Sequence, residues 1–442
     1  MEENTVPRTM KSINRQILEL AIPSMLAGIT IPLVGMADTA IAGRLGSATA
    51  IGGIAIGSTL FDLLYWNFGF LRIGTAGITA QAFGRKDRYD MVKTGLQGLL
   101  VALGFSLLLI LIQWPFANLV LWLSPSSPEV EAMARQYFFI RIWAAPAVLA
   151  LFVFRGWFIG MQNTVASMIM DIVINVSNVG LSIFLAFPQG MGIRGIALGT
   201  VLAQYIGILC ALVLLLVYYR PMYRFVKDSA VFHKEGWSRF FNLSGNLFIR
   251  SVCMLLVYTG FTFLSAKYGD VMLAVATIMM KLLLLFAYFV DGFAYAGEAL
   301  VGKFIGAGDR PSLMRSIKLL FIWSAGVGVV STLFYIVGDE WLLRLMTTAP
   351  DVIQAAGPFL PWLYSMPLLS CIAFMWDGIF IGATAGKAMR NAMILSVIAF
   401  YVSYFVFEKY LGIQALWIAY AAHLIARSAA QTIMARKHVF TL

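Results

Sequence analysis

About twelve apolar runs of roughly 20 residues or more follow one another along this chain of 442 residues. A run of that length is what an α-helix needs to cross a bilayer. Inside hydrocarbon the backbone groups must bond to one another, so such runs fold as helices packed into a bundle. Composition points the same way. The chain is 60% hydrophobic and 12% charged, where a soluble domain carries about twice that charge. The fold class expected is an all-α polytopic membrane protein with 12 transmembrane helices.

The positive charges locate the faces. Arg and Lys gather in the N-terminal segment (Arg8, Lys11, Arg15), in Gly84–Lys93, in Tyr219–Arg239, in residues 306–318 and 387–390, and in the tail. These segments alternate along the chain, as loops on one face must. The opposite loops hold few, chiefly Arg44, Lys267 and Lys409. The positive-inside rule puts the basic face, and both termini, in the cytoplasm. That is the orientation of a multi-pass membrane protein with its basic loops inside. The first apolar run has no convincing cleavage site after it and reads as a retained helix.

Several function classes drop out. The net charge of +11 sits in short loops rather than in a patch, so no nucleic-acid partner is expected. Cys210, Cys253 and Cys371 all lie in apolar segments, and His233, His423 and His438 have no metal-ligand spacing. No HExxH, phosphate-binding glycine loop or nucleophile elbow is present. The chain is therefore expected not to be an enzyme, and to carry no cofactor and no firm metal site.

A repeat divides the chain. RGWFIGM (Arg155–Met161) matches DGIFIGA (Asp377–Ala383), and FGRKDR (Phe83–Arg88) matches IGAGDR (Ile305–Arg310), both at a shift of 222 residues. Gly192–Ile193 and Gly412–Ile413 match at nearly the same shift. Six helices per half is an even number, so the halves share one orientation, a known transporter plan with its site between the repeats. The expected division is a six-helix bundle over 1–218, a cytoplasmic linker over 219–240 and a second bundle over 241–442. Gly156 with Gly160, and Gly378 with Gly382, have the small-residue spacing of close helix contacts.

The first span, Ala21–Leu45, carries one carboxylate, Asp38, and two prolines, Pro23 and Pro32. A charge in hydrocarbon costs a few kcal/mol and faces a cavity or a partner. Proline removes a helical hydrogen bond, so Pro23 and Pro32 are expected hinges. On the fifth span Asp171, Asn175, Asn178 and Ser182 recur at i, i+4, i+7 and i+11, one stripe of a helix. By topology Asp38, Asn178, Ser182 and Thr200 lie at similar depth in the outer half of the first bundle. A carboxylate, an amide and two hydroxyls there suit a proton or a small hard cation. The other embedded charges read as structural or cavity-lining. Arg155 is placed to pair with Asp171. Arg250, Glu298 and Asp377 fall at one depth and are expected to form one network. Asp291 and Asp377 are candidates to line the cavity.

The chain resembles the multidrug and toxic compound extrusion (MATE) transporters, in their DinF-type bacterial branch. The matching segments are PSMLAGITIPLVGMADTAIAG (23–43), FLRIGTAGITAQAFG (70–84), GIRGIALGTVLAQY (192–205), DGFAYAGEA (291–299) and DGIFIGAT (377–384). They span both halves. The resemblance implies two pseudo-symmetric six-helix bundles around a central cavity. It also implies export of small amphiphilic, often cationic compounds against inward protons or sodium. Its coupling Asp follows a kink-forming proline by fifteen residues, as Asp38 follows Pro23. Asn178 and Thr200 match the Asn and Thr that family members place near this Asp. Many relatives have a second Asp four residues after the Asn, and here that position is Ser182. With one strong anionic ligand missing, proton coupling through Asp38 is favoured over a sodium site at Asp38, Asn178 and Thr200. A monomer in the lipid bilayer is expected. The alternative is a flippase for lipids or lipid-linked oligosaccharides from the same superfamily.

Overall fold

The computed structural model describes residues 10–44, 48–123, 127–226 and 234–441, and among them there is no strand. The first expected span is α1 (Met10–Arg44). The second is α2 (Ala48–Trp66) and α3 (Gly69–Arg85), and the third is α4 (Arg88–Leu111) followed by α5 (Gln113–Leu123). The fourth is α6 (Pro128–Arg141) and α7 (Ala145–Gly160), joined by one 3-10 turn, then come α8 (Thr164–Ala186) and α9 (Ile193–Tyr219). In the second half the spans are α10 (Lys234–Ala266), α11 (Asp270–Ala307) and α12 (Arg310–Met346). They are followed by α13 (Pro350–Ala356) with α14 (Leu360–Gly382), then α15 (Gly386–Leu411) and α16 (Gln414–His438). Ten of these rods are long and apolar enough to cross a membrane. α1 and α16 are two further long helices; His423, Arg427 and Gln431 make α16 more polar than the rest.

The third span is not one straight helix. It breaks at Ile112, and α5 restarts with Pro115 in its first turn, where a missing N–H costs little. A 3-10 turn covers Arg220–Phe225, and α10 already begins at Lys234; residues 227–233 lie outside the described residues.

The chain forms two compact units, Leu26–Phe240 and Met1–Met25 with Phe241–Leu442. The start of α1 groups with the C-terminal unit. The reason is local. A Cβ on Gly292 of α11 would strike Met25 Cγ and lie 2.8 Å from the Ala21 carbonyl, so the glycine admits α1. Trp323 Nε1 donates to Asn14 Oδ1 (3.2 Å) and Lys303 Nζ to Gln16 Oε1 (3.0 Å).

Inside each unit the repeat is reproduced contact by contact. A Cβ on Gly156 of α7 would meet the Arg72 carbonyl of α3; one on Gly378 of α14 would meet the Ala294 carbonyl of α11. A Cβ on Gly160 would lie 2.8 Å from the Ala76 carbonyl, and one on Gly382 2.7 Å from the Glu298 carbonyl. Every one of these partners is displaced by the same 222 residues. So are the turns that follow. Asp87 caps α4 by accepting from Asp90 N (3.0 Å) and Asp309 caps α12 from Ser312 N (3.1 Å). Lys86 and Gly308 precede them at φ 59 and 67. Gln162 and Thr384 both stand at positive φ after the glycine-bearing helices. Backbone lies against backbone at these glycines, so no rotamer change can make room. Gly378→Leu is expected to destabilise the protein by about 3 kcal/mol or more, read as a lower unfolding midpoint in detergent. Gly326→Leu, which meets nothing within 4 Å, is the control that should unfold like the parent.

Candidate functional site

The site of the N-terminal unit is built on α1, α2, α6, α8 and α9. Glycines bring the helices together. A Cβ on Gly57 of α2 would lie 2.5 Å from the Tyr137 ring of α6, and one on Gly199 of α9 would lie 2.7 Å from the Ser182 backbone nitrogen of α8. On the α8 stripe Asn175 Nδ2 donates to Thr30 Oγ1 of α1 (2.6 Å). One turn on, Asn178 Nδ2 donates to Thr200 Oγ1 of α9 (2.9 Å), and Thr200 Oγ1 donates to the Ile196 carbonyl (3.1 Å). Ser182 Oγ donates to the same carbonyl at 3.4 Å. Asn178, Ser182 and Thr200 are all buried, as the stripe requires.

Asp38 is 8% exposed, and its Oδ1 has no hydrogen-bond partner; neither has the Asn178 Oδ1. Among the described residues no hydrogen bond joins Asp38 to Asn178, Ser182 or Thr200. Its charged neighbour is a residue the sequence reading did not single out, Arg141 at the end of α6. The Arg141 guanidinium is within electrostatic reach of Asp38, Asp62, Tyr65 and Tyr137. It donates to Tyr137 Oη (2.8 Å) and lies over the Phe61 ring at 4.7 Å. Tyr137 and Arg141 are four residues apart on α6, a spacing that marks a shared face.

The hinge residues are in place without a break. α1 is helical throughout Met10–Arg44. Pro23 removes the donor to residue 19, and Ser24 Oγ bonds the Leu20 carbonyl at 2.9 Å. The Pro32 side chain lies outside the described residues.

Two of the remaining embedded carboxylates, Asp171 and Asp377, pair with arginines. Arg155 of α7 and Asp171 of α8 form the expected ion pair, with Arg155 Nε 3.1 and 3.2 Å from the two carboxylate oxygens. In the C-terminal unit Arg250 of α10 binds Asp377 of α14, as expected from depth. A second arginine, Arg427 of α16, binds the same oxygen, and Gln431 Nε2 donates to the other at 2.7 Å. Glu298 is fully buried on α11, and Asp291 is part-buried within reach of Tyr258. Arg427 was legible in one way: His423, Arg427 and Gln431 recur every four residues along α16, a polar stripe like that of α8. Among the described residues no group of three His, Cys, Asp or Glu is arranged to hold a metal ion.

Both halves match one family model, MatE, over residues 23–184 and 247–407. The chain belongs to the MatE family. Among MatE relatives, the DNA damage-inducible protein F of Escherichia coli (strain K12) is 34% identical over 97% of this chain and 93% of its own. A probable multidrug resistance protein NorM of Rhizobium meliloti is 24% identical, covering 88% of this chain and 84% of that one. The fold agrees with the Vibrio cholerae MATE transporter VcmN in its bent form at a TM-score of 0.87. There the identity is 17%, over 98% of each chain. The protein is thus a multi-pass helical membrane protein of a transporter family. Asp38, Asn178 and Thr200 fall within or just beyond the first MatE stretch, and Asp377 falls in the second.

Proposed function

We propose that this protein exports small amphiphilic, often cationic compounds across the bacterial inner membrane by alternating access. Inward protons drive it, and both termini are cytoplasmic. The observation that carries this reading is the Asp38 carboxylate. It is buried and one of its oxygens has no hydrogen-bond partner, whereas Asp171 and Asp377 are held by arginines. An embedded carboxylate in that state has a lone pair to offer a proton.

Ligand number favours the proton over sodium. Arg141 opposes any added positive charge at Asp38, proton and sodium alike. Sodium must also replace its hydration shell with several oxygens, by the logic of hard cations. With Ser182 where a second carboxylate would stand, one anionic ligand is left for it. A proton needs a single oxygen. Arg141 then serves as a tethered counter-ion. It balances Asp38 when Asp38 is ionised, and turns to Asp62 and Tyr137 when Asp38 is protonated. That exchange differs between the two states, as any coupling of a proton to a conformational change requires. α1, which carries Asp38, is the element it biases, with Pro23 as its hinge.

The test is efflux of a fluorescent lipophilic cation from proteoliposomes under proton and sodium gradients imposed separately. Proton gradients should drive it and sodium gradients should not. Sodium-driven efflux with no proton response sinks the reading. Arg141→Gln is expected to bring in a sodium response, because the tethered cation is gone, while Arg141→Lys stays indifferent to sodium. Indifference in both variants contradicts the counter-ion role.

A further inference from the structure

On the membrane face that carries the basic loops, the N-terminal unit holds a groove of about 370 Å3 between α4, α7, α9 and the turn Arg220–Phe225. Its walls are apolar: Leu99, Phe154, Trp157, Leu212 and Leu216 among them. Leu212 and Leu216 are 44% and 62% exposed on the outside of α9, so the groove opens sideways, where hydrocarbon lies. Along α4 its lining runs from Val92 to Leu99, about 11 Å at the helical rise. One leaflet of hydrocarbon is about 15 Å thick.

Its mouth is cationic. Arg220 lines it directly, and Arg224 follows on the same turn. Arg88 lies 5.9 Å from the Phe225 ring, and Tyr89 packs edge-on against that ring at 4.9 Å, which fastens the turn to α4. The nearby acids are engaged elsewhere. Asp90 binds Arg85 at 2.6 Å, and Asp87 caps α4. Among the described residues Arg88, Arg220 and Arg224 make no ion pair.

We infer that this groove is a binding site for one anionic phospholipid, its acyl chain against Trp157 and Leu212 and its phosphate at Arg88, Arg220 and Arg224. The inference is independent of the transport reading. Shape and charge together select the occupant: an apolar slot that opens toward the lipid and fits within one leaflet takes part of an acyl chain, and three guanidiniums at its mouth, none in an ion pair among the described residues, repel a lipophilic cation and attract a phosphodiester. The larger groove of the C-terminal unit, about 640 Å3 between α1, α11 and α12, has no charged residue in its lining. It should not discriminate between lipids by charge.

The experiment is native mass spectrometry of the full-length protein extracted from membranes of equal phosphatidylglycerol and phosphatidylcholine. The parent should retain phosphatidylglycerol at least tenfold over phosphatidylcholine. Each arginine changed to Gln (Arg88→Gln, Arg220→Gln, Arg224→Gln) should reduce that ratio by up to about fivefold, and the triple variant should show no preference. Leu212→Trp with Leu216→Trp, which fills the slot from the lipid side, should release the retained lipid of either class. Equal retention by the parent, a preference that survives in the triple variant, or full retention in the double tryptophan variant would each overturn the assignment.

Discussion

Asp38→Asn is expected to reduce gradient-driven efflux to the level of vesicles without protein, while the protein still folds. The substitution keeps the shape of the side chain and removes only its capacity to change charge. Asp38 touches no hydrogen-bond partner through Oδ1 and makes no ion pair closer than 4 Å among the described residues, so little packing is lost. A change in stability within about 1 kcal/mol is expected. Purification yield, unfolding midpoint and binding of a fluorescent substrate check the fold; efflux under a proton gradient checks the role. A mutant that transports like the parent removes Asp38 from the mechanism. Asn178→Ala is a milder case. It breaks the 2.9 Å bond to Thr200 and leaves the carboxylate, so the transport rate should fall without a loss of proton dependence.

Asp377→Ala is expected to be the most destabilising single substitution in the C-terminal unit. The carboxylate holds Arg250, Arg427 and Gln431, and so ties α10, α14 and α16 together. Both guanidiniums are enclosed, Arg250 at 7% and Arg427 at 2% exposure. Removing their shared anion strands two buried charges, and breaking a buried pair in this way costs about 3–5 kcal/mol. Denaturant titration in micelles reads the loss directly. The triple change Asp377→Leu, Arg250→Met, Arg427→Met should recover most of it, because an apolar cluster of similar volume carries no stranded charge. Unchanged stability in Asp377→Ala would mean that the arginines find other partners.

Much of this was legible in the amino-acid sequence because its determinants are periodic. Apolar runs of bilayer length specify helices, and the shift of 222 residues between RGWFIGM and DGIFIGA specifies two like halves. The same shift returns in the structure at the glycine contacts, the caps and the positive-φ turns. The pair Arg155–Asp171 followed from the short turn that the two residues flank, and the Arg250–Asp377 contact from depth. What stayed hidden depends on contacts between distant segments. Arg141 sits inside the fourth span, where α6 passes into its 3-10 turn, and its electrostatic reach to Asp38 depends on how α6 packs against distant segments, α2 among them through Gly57 and Tyr137. Arg427 lies in the most polar span, whose stripe reads equally well as a solvated face until α14 is packed against it. The allegiance of the start of α1 to the C-terminal unit rests on Gly292, some 270 residues away in the chain.

The central claim is that Asp38 carries the proton that drives export. The most direct measurement is proton movement itself: proteoliposomes loaded with a pH-sensitive dye, challenged with a lipophilic cation in sodium-free buffer. The account predicts a substrate-dependent proton flux, opposite in direction to the substrate, that is present in the parent and absent in Asp38→Asn. Substrate transport with no accompanying proton flux, or an equal flux in Asp38→Asn, would contradict it.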